Sequence, residues 1–146
     1  GQQAQSLHDG SFVWNDNAAG IFASTAQNQF LIHAAGNTGI MTNAPHSTLH
    51  DNGSIAVGFR STAVNITATS SDCIIAGTAN LTITLPPAAG ITGRIYTIKN
   101  TGGAGTIVIV DANGGEFIDL ALTYPVASMM WVTIVSNGIK WLIIGN

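Results

Sequence analysis

Charge is what this sequence has least of. Charged side chains make up 8% of its 146 residues, against a usual share of about 25%. Hydrophobic residues make up 46%, and mean hydropathy is +0.34. A monomer this poor in charge has little with which to cover an apolar surface. A membrane protein is one class that fits, but no apolar run reaches the roughly 18 residues that mark a spanning helix. Thr, Ser and Gly interrupt the longest runs. An assembly that hides surface against copies of itself is the other class, and the one we expect.

Basic residues are equally scarce: lysine and arginine together number 4, and net charge is -3. Arg60, Arg94, Lys99 and Lys140 are scattered. No basic patch can neutralise a phosphate backbone, so nucleic acid is not an expected partner. Cys73 is the single cysteine, which rules out an internal disulfide. Beside Ile74 and Ile75 it is expected to be a small buried hydrophobe rather than a reactive thiol. The chain opens on Gly1 without a charged segment leading into an apolar one, so a piece of a longer protein is expected.

What is present is a series of short apolar runs between turn residues. Residues 1–8 are polar and patternless, a flexible lead-in or connection. Residues 9–53 carry Ser11–Trp14, Ile21–Ser24, Asn28–Ala34 and Ile40–Thr42, separated by Gly, Asn, Asp and Pro turns such as Asn15–Gly20. Segments this short do not close a sheet core within one chain. Three chains wound around one another could, each completing a neighbour's sheet. No helical period is present. Phe30, Leu31 and Ile32 are consecutive, so Ala23–Ala35 reads as strand.

Residues 54–146 are richer in Ile, Val and Thr, and their strands lengthen. Leu81, Ile83 and Leu85 alternate with Thr82 and Thr84. Ile95 and Thr97 alternate with Tyr96 and Ile98, and Trp131, Thr133 and Val135 with Val132 and Ile134. Alternation of period 2 in β-branched residues is the signature of a sheet. Asn137-Gly138 signals a two-residue hairpin, and Gly102–Gly105 reads as a hairpin turn. Expected strands include Phe117–Leu120, and Leu120–Val126 is expected as a loop. The fold class expected is all-β: a stalk or neck of short strands over residues 1–53, then an antiparallel β-sandwich, jelly-roll-like, over residues 54–146.

Candidate chemistry is sparse. Asp111, Glu116 and Asp119 surround Asn113-Gly114-Gly115. They fit turn chemistry, in which Asp and Asn bond nearby backbone and Gly takes positive φ. They also fit, less completely, a calcium loop or a hydrolytic pair. His46 and His50 have a metal-like spacing, but Pro45 and the Asp51-Asn52-Gly53 turn argue against a helix. On a trimer axis a single histidine position would supply three imidazoles. No G-x-S-x-G elbow or phosphate loop occurs. Trp141 and Trp131 are expected in the core. Trp14 and Tyr124 are candidates for exposed positions, where an aromatic face beside polar groups could stack on a sugar, or could anchor a subunit interface.

Several motifs in order resemble the C-terminal heads of trimeric phage tail-fibre proteins, including fibre-like proteins encoded in bacterial genomes. They are ITL at Ile83–Leu85, GITGRIYTIKN over Gly90–Asn100, DANGGEFID over Asp111–Asp119, and VTIVSNGIKWLII over Val132–Ile144. Upstream, Ser11–Trp14, Phe22–Thr25 with Asn28–Ile32, and Gly39–Thr42 with Pro45, Ser47–Leu49 and Asn52–Ser54 resemble stalk segments of such chains. The sequence departs from them over Leu120–Val126 and at His50.

The resemblance implies a homotrimeric receptor-binding tip, outside the cell on a virion tail or phage-tail-like particle. It would recognise a cell-surface glycan or protein, with no catalysis, cofactor or membrane insertion. Asn113, Glu116, Asp119, Tyr124 and Trp14 are the candidate receptor contacts. A structural trimerisation or shaft-capping module, and a polysaccharide depolymerase tip, are the other two classes.

Overall fold

A computed structural model describes residues 2–16 and 20–146. The middle of the expected Asn15–Gly20 turn therefore lies outside the described residues. The fold is all-β, and no α-helix occurs among the described residues. The chain divides into two compact units, Gly1–Ile55 and Ala56–Asn146. No helix among the described residues is long and apolar enough to cross a membrane.

The first unit holds β1 (Ala4–Gln5), β2 (Phe12–Asn15), β3 (Phe22–Ala23), β4 (Phe30–His33), β5 (Thr38–Ile40) and β6 (Leu49–Asp51). They pair in parallel as β1 with β3, β2 with β4, and β5 with β6. Residues 4 and 5, expected in a flexible lead-in, are thus a strand. Ala4 lies opposite Phe22 and Phe12 opposite Phe30, a constant offset of 18 residues. Gly10 and Asn28 share that offset, and both adopt positive φ, 70° and 58°. Two turns of one winding are therefore encoded by a repeat too divergent to stand out in the letters.

Polar groups fill the inside of this winding. Asn15 is fully buried. Its Nδ2 donates to the carbonyls of Gln2 and Gly20 at 3.1 and 3.2 Å. Its Oδ1 lies 2.7 Å from His33 Nδ1. Because the Asn15 amide is oriented by the two carbonyls, the His33 nitrogen is the donor of that bond. Buried Ser24 accepts the Leu7 N–H at 2.9 Å. In Gly1–Ile55 no hydrophobic residue among those described is buried.

The second unit continues with β7 (Phe59–Thr62), β8 (Ile66–Thr67), β9 (Ile74–Gly77), β10 (Leu81–Thr84), β11 (Ile95–Asn100), β12 (Ile107–Asp111), β13 (Thr123–Ala127), β14 (Trp131–Ser136) and β15 (Trp141–Gly145). They form two sheets, ordered β15-β14-β11-β9-β7 and β13-β12-β10-β8. The inward residues of both sheets meet in one core. Leu81, Ile83, Val108, Val110 and Val126 come from one side; Ile75, Tyr96, Ile98, Val132, Ile134 and Trp141 come from the other. Leu81 and Ile83 are buried while Thr82 and Thr84 are half-buried, as period-2 alternation requires.

The expected sandwich is present, but its pairing is not the expected antiparallel one throughout. From β7 to β12 each strand lies in the sheet opposite its predecessor's, so strands two apart become parallel neighbours. Only the β12–β13, β11–β14 and β14–β15 pairs are antiparallel. Gly102–Gly105 is accordingly a crossover between sheets and not a hairpin. Fully buried Asn100 organises it, accepting the Gly102 N–H at 2.9 Å and donating to the Thr106 and Val126 carbonyls at 3.1 and 2.9 Å.

Three further expectations are corrected. The Asn137-Gly138 hairpin exists, but Ser136 pairs with Trp141, so its loop has four residues. Only Gly138 takes positive φ there, whereas a type I′ turn needs it twice. Asn137 Oδ1 instead accepts the Ile139 and Lys140 N–H groups at 3.0 and 2.9 Å. Phe117–Leu120 is not a strand; Ile118 makes only isolated bridges to Ala121 and Trp141. The strand is Thr123–Ala127, which begins inside the expected loop and runs one residue past it. Pro125 concealed it, yet β13 lies at a sheet edge, where a missing N–H is tolerated.

Candidate functional site

The carboxylates near the Asn113–Gly115 turn hold backbone together. Glu116 accepts the Ala88 N–H with both oxygens, at 3.1 and 2.9 Å. Asp119 takes positive φ, 53°, and its Oδ1 accepts the Ile143 N–H at 3.2 Å. Each ties its turn to a distant segment, which differs from the local turn bonding expected. Asn113 begins a 3-10 turn and is half-buried. Asp111 Oδ2 lies 3.5 Å from Thr84 Oγ1. These contacts account for the acidic residues as structural members.

His46 and His50 do come together. Their rings lie 5.4 Å apart, and the His46 N–H donates to His50 Nδ1 at 3.1 Å. Among the described residues no group of three His, Cys, Asp or Glu could hold a metal ion within one chain. Cys73, expected to be buried, is half-buried.

The aromatic residues separate differently from expectation. Trp141 is fully buried against Tyr96, ring centroids 5.6 Å apart. Trp131, also expected in the core, is 41% exposed. It shares a strand face with Thr133 and Val135, while Val132 and Ile134 point inward. The alternation already visible in the sequence carried that signal; a general preference for burying tryptophan obscured it. Trp14 is 39% exposed on β2, on the same ribbon face as Phe12, Phe30 and Ile32.

Trp131 and Tyr124 line a groove of about 330 Å³ with Pro125, Val126, Ala127, Met130 and Asn146. Strands β13 and β14 supply most of it, one from each sheet. Asn146 Nδ2 donates to the Tyr124 hydroxyl at 2.9 Å, which fixes the phenol and leaves its O–H as a donor. The indole rests on the backbone of Gly145: a Cβ there would meet Trp131 ring atoms at 3.0 and 3.1 Å. Gly145, Trp131 and Asn146 are the site residues that the sequence did not announce. Of the five residues expected to contact a receptor, Tyr124 alone lines this groove. Amphipathic aromatic faces beside an amide suit a ligand with an apolar ring face and hydroxyl edges.

Compared with protein-family models, curated proteins and solved structures, the chain finds no match.

Proposed function

We propose that the chain is one third of a homotrimeric, tail-fibre-like receptor-binding tip that recognises a cell-surface glycan through the Tyr124–Trp131–Asn146 groove. It acts outside the cell, on a virion tail or phage-tail-like particle. It needs no cofactor and cleaves no bond. Assembly is supported by the unit Gly1–Ile55, which has no buried apolar side chain among its described residues. It exposes Leu7, Phe12, Ile21, Phe30, Met41 and Leu49, each more than half accessible. It also carries three aspartates and no lysine or arginine. Copies of the same unit are the apolar partners that would cover those faces. The threefold count comes from the resemblance of the motifs.

Recognition is carried by the groove: a large aromatic side chain held out of the core beside a hydroxyl and an amide. Three such grooves on one rigid body bind a multivalent surface with avidity far above that of one. A glycan array with the purified protein tests this. Binding to a defined set of sugars is expected, and Trp131→Ala should weaken it about tenfold or more with the fold unchanged. No binding at high protein concentration, or binding indifferent to Trp131→Ala, would contradict the assignment.

The competing reading is a structural trimerisation or shaft-capping module. The backbone duties of Glu116 and Asp119 favour it, since they give two of the expected receptor contacts a structural role. An array with no signal from a well-folded trimer would establish it. Release of reducing sugar from surface polysaccharide would instead favour a depolymerase tip.

A further inference from the structure

Away from the Trp131 groove, a pocket of about 320 Å³ opens between Ser70, Pro86, Pro87, Ala89, Ile91, Arg94 and Tyr96. Its walls are apolar except at one place. There the Arg94 guanidinium lies over the Tyr96 ring, 5.0 Å from its centroid. Nη2 donates to the Ser70 carbonyl at 2.7 Å and to the Asp72 carbonyl. Nε is buried and has no hydrogen-bond partner among the described residues, which is equally true of Arg60 Nε.

Asp72, 5% exposed, accepts from Arg60 Nη2 at 2.8 Å, the Thr69 N–H at 2.7 Å and Thr69 Oγ1 at 2.9 Å. Arg60 thus has a counter-charge, whereas among the described residues Arg94 meets backbone carbonyls and a ring face and forms no ion pair. A carboxylate entering the pocket would supply the counter-charge that Arg94 lacks. The prolines, Ala89 and Ile91 would meet an apolar body, which disfavours a fully hydrated anion such as phosphate.

We propose that this pocket binds a small apolar carboxylate, aryl or branched aliphatic, with its acid group on Arg94. The site is independent of the glycan groove. The chain's arginines are Arg60 and Arg94, so a nitrogen–proton correlation spectrum of the full chain shows two Nε–H signals, assigned with Arg94→Gln. Benzoate should shift the Arg94 signal saturably, with a Kd of about 1 mM or tighter, and leave Arg60 still. Benzamide, neutral and of the same shape, should bind at least about tenfold more weakly. Inorganic phosphate should produce no saturable shift. Ala89→Trp, which fills the pocket, should abolish the benzoate response, while Trp131→Ala should retain it. Should Ala89→Trp not fold, the comparison of benzoate with benzamide on the unmodified chain decides. No saturable shift with benzoate, equal binding of benzamide, or an equal response at Arg60 would overturn the proposal.

Discussion

Asp72 shows how much one carboxylate can hold when charge is scarce. It joins Arg60 and Thr69 through three hydrogen bonds to its side chain while almost wholly buried. Removing it leaves a third-exposed guanidinium without its counter-charge and the Thr69 N–H without that acceptor. We expect Asp72→Ala to destabilise by about 2–3 kcal/mol, below the full cost of breaking a buried pair because Arg60 reaches solvent. Urea unfolding checks this; a loss under about 0.5 kcal/mol would contradict it. Gly145 is the corresponding position in the groove. Gly145→Val pushes a side chain into the Trp131 ring, so sugar binding should fall about tenfold, as for loss of an interface anchor. A fold check by circular dichroism separates this from unfolding. Neither role could be read from the letters. Asp72 followed by cysteine names no partner, and nothing in the letters beside Gly145 shows which ring lies on it.

At the level of elements, period-2 alternation located most strands but did not by itself say which face was inward. Tyr96, Ile98, Val132 and Ile134 are buried, while Trp131, expected in the core, lies on the opposite face of its strand. Direction was not legible, because alternation is the same in parallel and antiparallel sheets. What decides direction is where each connection lands. Here the links from β7 to β12 cross between sheets instead of turning back within one. Crossing draws the sheets close at particular points. A Cβ on Gly77 of β9 would meet Val108 Cγ2 of β12 at 2.5 Å. Gly77→Val should therefore overpack the core and cost about 1–3 kcal/mol, seen as a lower urea midpoint at unchanged slope. A neutral result would mean that the sheets are not in contact there. Strand β13 was missed for a different reason: Pro125 is a poor strand residue in general and an acceptable one at an edge.

On the scale of the whole molecule, the two units solve burial differently. Ala56–Asn146 has a core drawn from two sheets. Gly1–Ile55 buries Asn15 and Ser24 and leaves its aromatic and aliphatic residues outside. Phe12 and Phe30 stack on one another, ring centroids 5.0 Å apart, on the exposed face of the β2–β4 ribbon. Low charge made an assembly the natural expectation from composition alone, and this bare face gives that expectation a location. Phe12→Asp with Phe30→Asp places like charges where copies would meet. The double variant should dissociate to monomers, and the isolated first unit should lose its β signal by circular dichroism.

The most direct measurement is the mass of the native protein by multi-angle light scattering. With a chain of 15.0 kDa, a homotrimer gives about 45 kDa, stable on dilution to micromolar concentration. A well-folded particle of 15.0 kDa would contradict the account.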